Sequence, residues 1–570
     1  MTAFQDTPQS KAKNNALAGL LERNRAKRVL KGATIDGLIA GHLKEGRVFA
    51  ALGDAVAELE RAGAGYESYA RVARCEMIVG LATRAQRSWR EALRFKETAQ
   101  AHTGIGTLHF QQGETAEAIT AFQKALSLDA KNLEALESLS AAYLYLEQPA
   151  EARSYADTAL QLDDERLESR LCRARAEIAL GNPDRAEADI TFVRSRRYKE
   201  NEVRLLEVDL LIHGKEFESA MFLAAQLCER HPESRDCLDA FRRAYSAFDE
   251  SDRRADLADF LDGLDHFTPL SKPRDRSESD ATEAVDVIIP VHNAWHAVKE
   301  CIASLKATSG ARLGRVVLVN DASDEDTRER LVALSKSDER IVFVETPRQS
   351  GFSRALALGV KESSATAFVA LNSDTIVTKG WLDKLHAALR SAPETAMVGP
   401  LSNNAGWQNY GAVLGRAGGF AGLQTPSAPC RADISKEISE AEQGALVPLQ
   451  ILHGFCVLVD REAYDALGGV DQDLFPEGYG EFQDLSIRMR TAGHELLAVT
   501  DCVVFHERGA SLSPARRAAL SLAGRKSLYS RYSALNYLCL EMVSVRAPAL
   551  EQKRKMLRRV LRAWGIDAGT

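Results

Sequence analysis

A spacing of about 34 residues recurs through the first half of the chain and constrains its fold more than any other feature. Small and apolar residues return at this spacing in sets that share the same internal offsets. The sets are Ala85, Trp89 and Ala92; Ala118, Phe122 and Ala125; Ala152, Ala156 and Ala159; Ala186, Ile190 and Val193; and Ala220, Ala224 and Leu227. Small residues at fixed points let two helices pack closely and let each pair stack on the next. The sequence predicts a helical region over 1–65 and a helical repeat array over 66–261, with the period clearest over 66–235.

This array resembles the tetratricopeptide repeat (TPR), and Gly106, Ala118, Phe122 and Ala125 carry the best match. The resemblance implies a concave groove for a peptide or a partner protein. A spacer or a self-association module is the alternative.

Composition narrows the class of protein. The net charge of −7 argues against nucleic-acid binding by bulk charge. Nine scattered cysteines form no Cys-x-x-Cys pair, which argues against a zinc ribbon and fits a reducing compartment. The N-terminus lacks the apolar core of a signal peptide, and no run of about 18 apolar residues occurs. We therefore expect a cytoplasmic protein.

The character of the sequence changes at residues 262–285, which are rich in Pro, Ser, Asp and Arg and read as a linker. Beyond it, Val- and Ile-rich runs at 286–291, 315–320, 340–345 and 366–371 alternate with helical stretches at 295–308, 325–336 and 351–363. This alternation predicts a parallel sheet covered on both faces, within a domain over 286–535. Ligands of such sheets bind beyond the carboxyl ends of the strands.

The strand ends are polar. They carry Pro290, His292 and Asn293; Asn320 and Asp321; Gly351 and Arg354 in the turn before the third helix; and Asn372, Ser373 and Asp374. Asp374 follows the buried run Phe368–Leu371, where a carboxylate can hold a divalent cation and, through it, a diphosphate. The chain has no P-loop motif, and no Gly-x-Gly-x-x-Gly follows the first strand.

The domain resembles family 2 glycosyltransferases of the GT-A fold. The ordered matches are Val287–Asn293, Val319–Ser323, Gly351–Ala355, Leu371–Thr375, Gly399–Asn404, His453–Phe455, Phe475–Glu481 and Phe505–Glu507. The predicted fold class is thus multidomain: an all-α TPR-like solenoid followed by an α/β, Rossmann-like GT-A domain.

The resemblance implies roles for single residues. Pro290, His292, Asn293, Asn320, Asp321, Gly351, Arg354, Asn372 and Ser373 would bind the nucleotide sugar, and Asp374 and His506 would bind Mn²⁺ or Mg²⁺. For Asp321 the alternative is a helix cap or turn, which is also the interpretation of Asp324. For Asp374 and His506 the alternatives are a strand-end turn and a structural histidine.

The catalytic base is harder to assign from sequence. The family carries an acidic pair ahead of a second acid, but this chain reads Glu481-Phe482-Gln483-Asp484, with Phe482 at the usual base position. Glu481 or Asp484 could take the proton of the acceptor hydroxyl. Asp484 could instead pair with Arg488 four residues on, and the domain could lack a competent base.

Two further segments carry predictions. The long stretch 404–447 reads as a loop on the acceptor side or a lid, together with Gly454 and Gly480. Its Trp407 and Tyr410 would stack on a sugar or pack the loop onto the core. The tail 536–570 ends in a basic amphipathic helix over 550–564, which would lie on an anionic membrane or dock on its own domain.

Taken together, these features predict an inverting, metal-dependent glycosyltransferase. The donor would be a nucleoside-diphosphate sugar, and the acceptor a glycan, a lipid-linked molecule or a protein. The alternatives are a TPR scaffold with a degraded transferase-like domain and, more weakly, a nucleotidyltransferase.

Overall fold

A computed structural model describes residues 35–264, 283–411, 423–441, 446–507 and 512–548, with scattered positions between 550 and 564. The chain divides into two compact units between Leu206 and Glu207. This boundary lies inside a repeat helix, well before the predicted linker. Most of the linker, residues 265–282, lies outside the described residues.

Antiparallel helix pairs form the described part of the chain up to Asp262. In order they are α1 (Ile35–Lys44), α2 (Val48–Ala62), α3 (Tyr66–Val79), α4 (Ala82–Phe95), α5 (Ala99–Gln111), α6 (Thr115–Leu128), α7 (Leu133–Tyr145), α8 (Pro149–Leu162), α9 (Leu167–Ala179), α10 (Pro183–Ser195), α11 (Glu200–His213), α12 (Phe217–Arg230), α13 (Arg235–Asp249) and α14 (Arg254–Asp262). The first helices of successive pairs start at Tyr66, Ala99, Leu133, Leu167 and Glu200, which confirms the predicted repeat.

The recurring small residues bring the two helices of a pair together. Ala118, Phe122 and Ala125 on α6 are buried, and the Phe122 ring lies directly on Gly106 of α5. A Cβ added to Gly106 would lie 2.6 Å from Phe122 Cε1. Thr98 caps α5 by accepting a hydrogen bond from Ala101 N at 3.3 Å.

We predict that Gly106→Ala lowers the free energy of unfolding by about 1–3 kcal/mol, because the methyl group overpacks the contact with Phe122. Gly53→Ala in α2 is the matched control, since a Cβ there meets nothing within 4 Å. It should raise stability by up to about 1 kcal/mol, the gain in helix propensity. Urea unfolding followed by circular dichroism measures both, and equal shifts of the same sign would contradict the prediction.

The second unit combines helices α12–α14 with a mixed sheet and its covering helices. The further elements are β1 (Val285–Val291), α15 (Trp295–Thr308), β2 (Leu313–Asn320), α16 (Glu325–Ser337), β3 (Ile341–Glu345), α17 (Phe352–Glu362), β4 (Ala367–Leu371), β5 (Thr375–Val377), α18 (Trp381–Leu389), β6 (Thr395–Leu401), α19 (Ala428–Ala441), β7 (Leu446–Pro448), β8 (Cys456–Asp460), α20 (Arg461–Ala466), α21 (Glu481–Thr491), β9 (Glu495–His506), α22 (Pro514–Tyr532) and α23 (Ala534–Val545). The strand order is β3-β2-β1-β4-β8-β6-β9-β5, and β7 pairs with β9.

The prediction of a parallel sheet is correct only for its first half. Strands β1 to β4 are mutually parallel, and β6 is parallel to β9. Strand β8 enters antiparallel between β4 and β6, and β5 and β7 run antiparallel to β9. The sequence could not show this, because a fully buried apolar run reports burial and not direction.

The parallel half positions the polar strand ends. Val291 pairs with Asn320, and Ile288 pairs with Ala370, so β1, β2 and β4 end at one edge of the sheet. Helices α15, α16 and α17 match the predicted spans within a residue at each end. This edge carries the candidate site.

Helices α22 and α23 attach to the last repeat helices within the second unit. Glu541 on α23 pairs with Arg242 at 3.4 Å, and Arg546 pairs with Asp249 at 3.1 Å. On α22, Arg525 Nη1 donates to the Pro232 carbonyl at 2.7 Å. Helices α12 and α13 therefore belong structurally with the sheet, although they continue the repeat.

The described positions of the tail dock on the same unit, and the predicted membrane contact finds no support in them. Leu550 and Leu561 are buried. Arg554, expected to be a solvated base, is 3% exposed and donates to the carbonyls of Asn409 at 3.1 Å and Val545 at 2.8 Å. Among the described residues, no helix is both long and apolar enough to cross a bilayer.

Candidate active site

Asp374 and His506 meet at the edge where β4 ends. The antiparallel ladder of β5 and β9 pairs Thr375 with His506, which places the preceding Asp374 beside the imidazole. Asp374 Oδ1 lies 3.2 Å from His506 Nε2, and both side chains are largely buried. The predicted convergence of these two residues is therefore present.

Contacts with neighbouring residues orient the His506 ring. Its Nδ1 lies 2.9 Å from the Asn404 carbonyl oxygen, which can only accept, so Nδ1 carries the proton and donates. Asn403 Oδ1 accepts a hydrogen bond from the His506 backbone N–H at 2.8 Å. The Phe455 ring stacks on the imidazole with 5.5 Å between the ring centroids. The Nε2 edge of the ring therefore faces Asp374 and the Asn372 amide, whose Nδ2 is 3.4 Å away.

This donor set fits a hard divalent cation. A histidine that ligates a metal commonly donates its other N–H to a carbonyl, as His506 does to Asn404. The structure, over the residues it describes, holds no cluster of three or more His, Cys, Asp or Glu side chains suited to a metal. Mg²⁺ and Mn²⁺ in phosphate-binding sites need only one or two protein ligands, because phosphate oxygens and water complete the shell.

Asp321 organises the turn that leads into α17. Its Oδ1 accepts from Thr346 Oγ1 at 2.9 Å and from the Ser350 backbone N–H at 2.7 Å, and its Oδ2 accepts from Gly351 N at 2.8 Å. Gly351 has a φ of 88°, and an added Cβ would lie 2.9 Å from the Glu477 Cα. The contact of Asp321 with a nucleotide base stays a prediction; the structure adds a role in shaping the turn.

The other residues predicted to bind the donor differ in their contacts and in their exposure. His292 Nδ1 donates to the Asp321 carbonyl at 2.7 Å, and Asn293 Oδ1 accepts from Asp324 N at 2.7 Å. Asn372 and Ser373 are partly exposed at the β4 end, and Pro290 is buried within β1. Arg354 is exposed and only loosely paired with Asp473, at 3.4 Å. Asn320 Oδ1 accepts from Ser323 N at 3.1 Å, and Asp324 caps α16, as expected, by accepting from Thr327 N at 2.8 Å.

Glu481 begins α21 and is poised to titrate near neutrality. Its Oε2 accepts from the Gly480 backbone N–H at 3.0 Å, and a Cβ added to Gly454 would lie 3.2 Å from its Oε1. Burial raises the pKa of Glu481 from 4.5 to about 7; backbone hydrogen bonds oppose this shift, and the nearby Asp484 charge adds to it. A general base with a pKa near the working pH is well matched to its task.

The raised pKa predicts a pH-dependent stability. The folded protein holds the Glu481 proton up to about pH 7, whereas the unfolded chain releases it near pH 4.5. The contribution of this group is therefore fully present below pH 4.5 and is lost as the pH rises to about 7, a loss of about 3 kcal/mol. Glu481→Gln should remove that loss, so the variant should gain stability over the wild type between pH 5 and 8. Urea unfolding at several pH values tests this, and parallel curves for the two proteins would contradict it.

Asp484 is engaged elsewhere. It is fully buried and accepts from Arg488 Nε at 2.8 Å, Arg531 Nη1 at 2.6 Å and the Tyr532 hydroxyl at 2.6 Å. The pairing with Arg488 confirms the alternative suggested by their spacing. Both oxygens of this carboxylate are already engaged by Arg488, Arg531 and Tyr532, so the geometry favours Glu481 over Asp484 as the base.

Phe482 is packed in the core beside Gly454. It is completely buried, and its ring covers Gly454 so closely that a Cβ there would clash with it. The side chain at the family's usual base position thus has a packing role in this protein.

Because of this packing, we do not expect a carboxylate at position 482 to raise activity. Phe482→Glu should lower the free energy of unfolding by about 3 kcal/mol or more, since it removes a buried ring and buries a charge. Turnover should not rise. Phe482→Leu is the matched control and should cost less, because it keeps an apolar side chain. Thermal unfolding and donor turnover of both variants provide the test, and a stable, more active Phe482→Glu protein would refute it.

Two consecutive residues connect the halves of the site. Gly454 backs the Glu481 carboxylate. Phe455 stacks on His506 and accepts the Asn372 backbone N–H on its carbonyl at 2.9 Å. The candidate base and the candidate metal ligand His506 therefore each lie against one of two consecutive residues, Gly454 and Phe455.

The acceptor-side predictions change most. Trp407 is 4% exposed and donates from Nε1 to the Ile451 carbonyl at 2.8 Å, and Tyr410 is 1% exposed. Both therefore pack the segment onto the core, and neither offers a face to a sugar. Part of the expected loop is helix α19, while 412–422 and 442–445 lie outside the described residues. Gly480, predicted on the acceptor side, precedes α21 with a φ of 147°.

Some residues of the site escaped the sequence-based assignment. Asn403, Asn404 and Phe455 lie inside motifs that carry the family resemblance, so their place in those motifs could have marked them as site residues. Arg531 and Tyr532 had no such signal, because their contact with Asp484 joins residues far apart in sequence.

The chain matches two family models. Residues 286–468 match glycosyl transferase family 2, and residues 99–132 match the tetratricopeptide repeat. The first match includes Asp321, Asp374 and Gly454 and ends before Glu481 and His506, so the assignment of these two rests on the geometry above.

Similar proteins match over part of their length. An N-acetylglucosaminyltransferase of Azorhizobium caulinodans is 31% identical over 129 residues, 22% of this chain and 32% of that protein. A poly-beta-1,6-N-acetyl-D-glucosamine synthase of Staphylococcus aureus is 21% identical over 220 residues, 39% of this chain and 50% of that protein. The chain thus spans a third to a half of these relatives. The crystal structure of GalNAc-T7 with UDP, GalNAc and Mn²⁺ aligns over 40% of this chain and 44% of that chain, at 16% identity and a TM-score of 0.32, too low to bear on ligands. The chain therefore contains a domain that matches glycosyl transferase family 2 over residues 286–468, preceded by helical repeats that match the tetratricopeptide repeat over residues 99–132.

Proposed function

We propose that this protein transfers a sugar from a nucleoside-diphosphate donor to a hydroxyl group of a glycan, lipid-linked or protein acceptor, with inversion at the anomeric carbon. The observation that carries the proposal is the Gly454–Phe455 dipeptide, which sets a candidate base against a candidate metal site. A non-catalytic scaffold would not need a carboxylate buried there with a pKa of about 7.

In the proposed reaction, ionised Glu481 takes the proton of the acceptor hydroxyl. The acceptor oxygen bonds to the anomeric carbon as the bond from that carbon to the diphosphate oxygen breaks. A Mg²⁺ or Mn²⁺ ion held by Asp374 and His506 would neutralise charge on the diphosphate. The turn at Ser350–Gly351, which Asp321 holds through two backbone hydrogen bonds, is proposed to form the neighbouring wall of the donor pocket.

The repeats are proposed to recruit the acceptor or a partner protein, since stacked helix pairs form extended concave surfaces. The acceptor itself is a protein, lipid-linked or glycan hydroxyl and not a nucleic acid.

Isothermal titration of the full chain with UDP, GDP and dTDP, each with and without Mn²⁺, tests donor binding. We expect one nucleotide to bind with metal-dependent affinity. Transfer and donor hydrolysis are then assayed with a panel of sugars on that nucleotide. UDP-N-acetylglucosamine comes first, because two relatives are named for N-acetylglucosamine transfer or polymer synthesis. Failure of every nucleotide to bind in any combination would reject the proposal.

A further inference from the structure

Helix α22 contacts the segment that carries Glu481 on both sides of that residue. Gly524 lies so close to the Tyr479 carbonyl oxygen that an added Cβ would overlap the oxygen. About two turns further along α22, Arg531 and Tyr532 both donate to Asp484 Oδ1 at 2.6 Å. Tyr479 precedes Glu481 and Asp484 follows it, so α22 holds both flanks of the candidate base.

Arg531 also anchors the approach to this segment. Its Nη2 donates to Asp471 Oδ2 at 2.9 Å, while Asp471 Oδ1 accepts from Leu474 N at 2.9 Å. Its guanidinium therefore joins an acid before the Phe475–Gly480 turn to the acid that follows Glu481. Planar guanidinium groups hold two carboxylates with a directional accuracy that an ammonium group lacks.

Helix α22 and the start of α23 are in turn held by the last repeat helices. Arg525 donates to the Pro232 carbonyl, and Glu229 Oε1 accepts the first backbone N–H of α23 at 2.9 Å. A helix tied to the last repeat helices on one side can hold the Glu481 segment steadily on the other.

We propose that Arg531, assisted by Tyr532, is a positioning residue for Glu481: it fixes the start of α21 so that the Glu481 carboxylate meets the acceptor hydroxyl. This inference rests on the proposed glycosyl transfer. Arg531 touches neither donor-side residue, Asp374 or Asp321, so its loss should slow the chemical step and leave donor binding intact. Small displacements of a reacting group cost large factors in rate.

The test compares Arg531→Gln, Arg531→Lys, Tyr532→Phe and Lys526→Gln in the full chain, with the donor identified in the panel. Lys526 is an exposed cation of the same helix and serves as the control. Arg531→Gln should lower kcat at least about tenfold, with donor KM and the Kd for UDP with Mn²⁺ within about twofold of the wild type. Arg531→Lys should keep a higher kcat than Arg531→Gln. Tyr532→Phe loses a single hydroxyl, so its kcat should lie between those of the wild type and Arg531→Gln. Melting curves identify any variant that fails to fold.

The outcomes separate the two claims. A wild-type protein that binds UDP and Mn²⁺ but transfers nothing would count against the proposed function. An active wild type whose Arg531→Gln and Tyr532→Phe variants match Lys526→Gln in kcat would overturn the positioning role. So would a loss of nucleotide affinity in Arg531→Gln in proportion to its loss of turnover.

Discussion

Asp374→Ala is expected to abolish Mn²⁺-dependent binding of UDP, with affinity at least about 100-fold lower in the presence of the metal. Asp374 supplies the carboxylate of the pair, and a lone imidazole is a poor ligand for a hard cation. Without the cation, the diphosphate loses the charge that holds it at the end of β4. Turnover should fall by at least the same factor.

Isothermal titration with UDP, with and without Mn²⁺, measures this loss directly. Asp383→Ala is the matched control, because Asp383 is an exposed acid on α18 that pairs with Arg312. It should bind as the wild type does. His506→Ala should weaken the metal-dependent part by a smaller factor, about tenfold. Undiminished metal-dependent binding by Asp374→Ala would remove the metal site from this edge of the sheet.

Glu481→Gln is expected to lower kcat by about 10²- to 10⁴-fold while UDP and Mn²⁺ still bind, since the amide keeps the shape and cannot take a proton. In the wild type, kcat/KM should rise as the pH increases through about 7 and then level off. The pKa of Glu481 is about 7, and only the ionised form accepts the proton. The variant should lack this rise of kcat/KM with pH.

Steady-state kinetics from pH 5 to 9 check both statements. Asp484→Asn makes a poor comparison, because it leaves Arg488 and Arg531 without a buried partner and should destabilise the fold. Gln483→Asn, two residues after Glu481 in sequence, is the better control and should keep its turnover. Wild-type turnover in Glu481→Gln would end the assignment of Glu481 as the base.

The positions of the residues proposed to hold the metal and the nucleotide could be predicted from sequence because these residues lie at strand ends. Asn320, Asp321 and Asp374 each follow a buried strand, and parallel strands bring their carboxyl ends to one edge. His506 ends a strand too, and the family resemblance supplied its place beside Asp374. Local pattern and topology agree in this half of the domain, and the structure shows Asp374 and His506 together.

The catalytic side was less accessible because side-chain direction decides it. At the start of α21, Glu481 and Phe482 both lie against Gly454, but Glu481 brings a carboxylate there while the fully buried Phe482 ring only packs in the core. Spacing from Asp484 cannot reveal this. The burial of Trp407 was equally hidden, since a Gly-rich stretch reads as an open loop until its contacts with the core are known.

The attachment of α12 and α13 to α23 bears on how the molecule can be divided for experiments. A recombinant fragment that starts after the linker would leave Glu541 and Arg546 without their ion partners and uncover the side of α23 that those helices protect. Such a fragment would expose surface that is covered in the full chain, and we expect it to aggregate whether or not its active site is intact. A shortened protein intended for crystallisation should keep the chain from the start of α11 onward, and limited proteolysis should spare α12 and α13 together with the sheet.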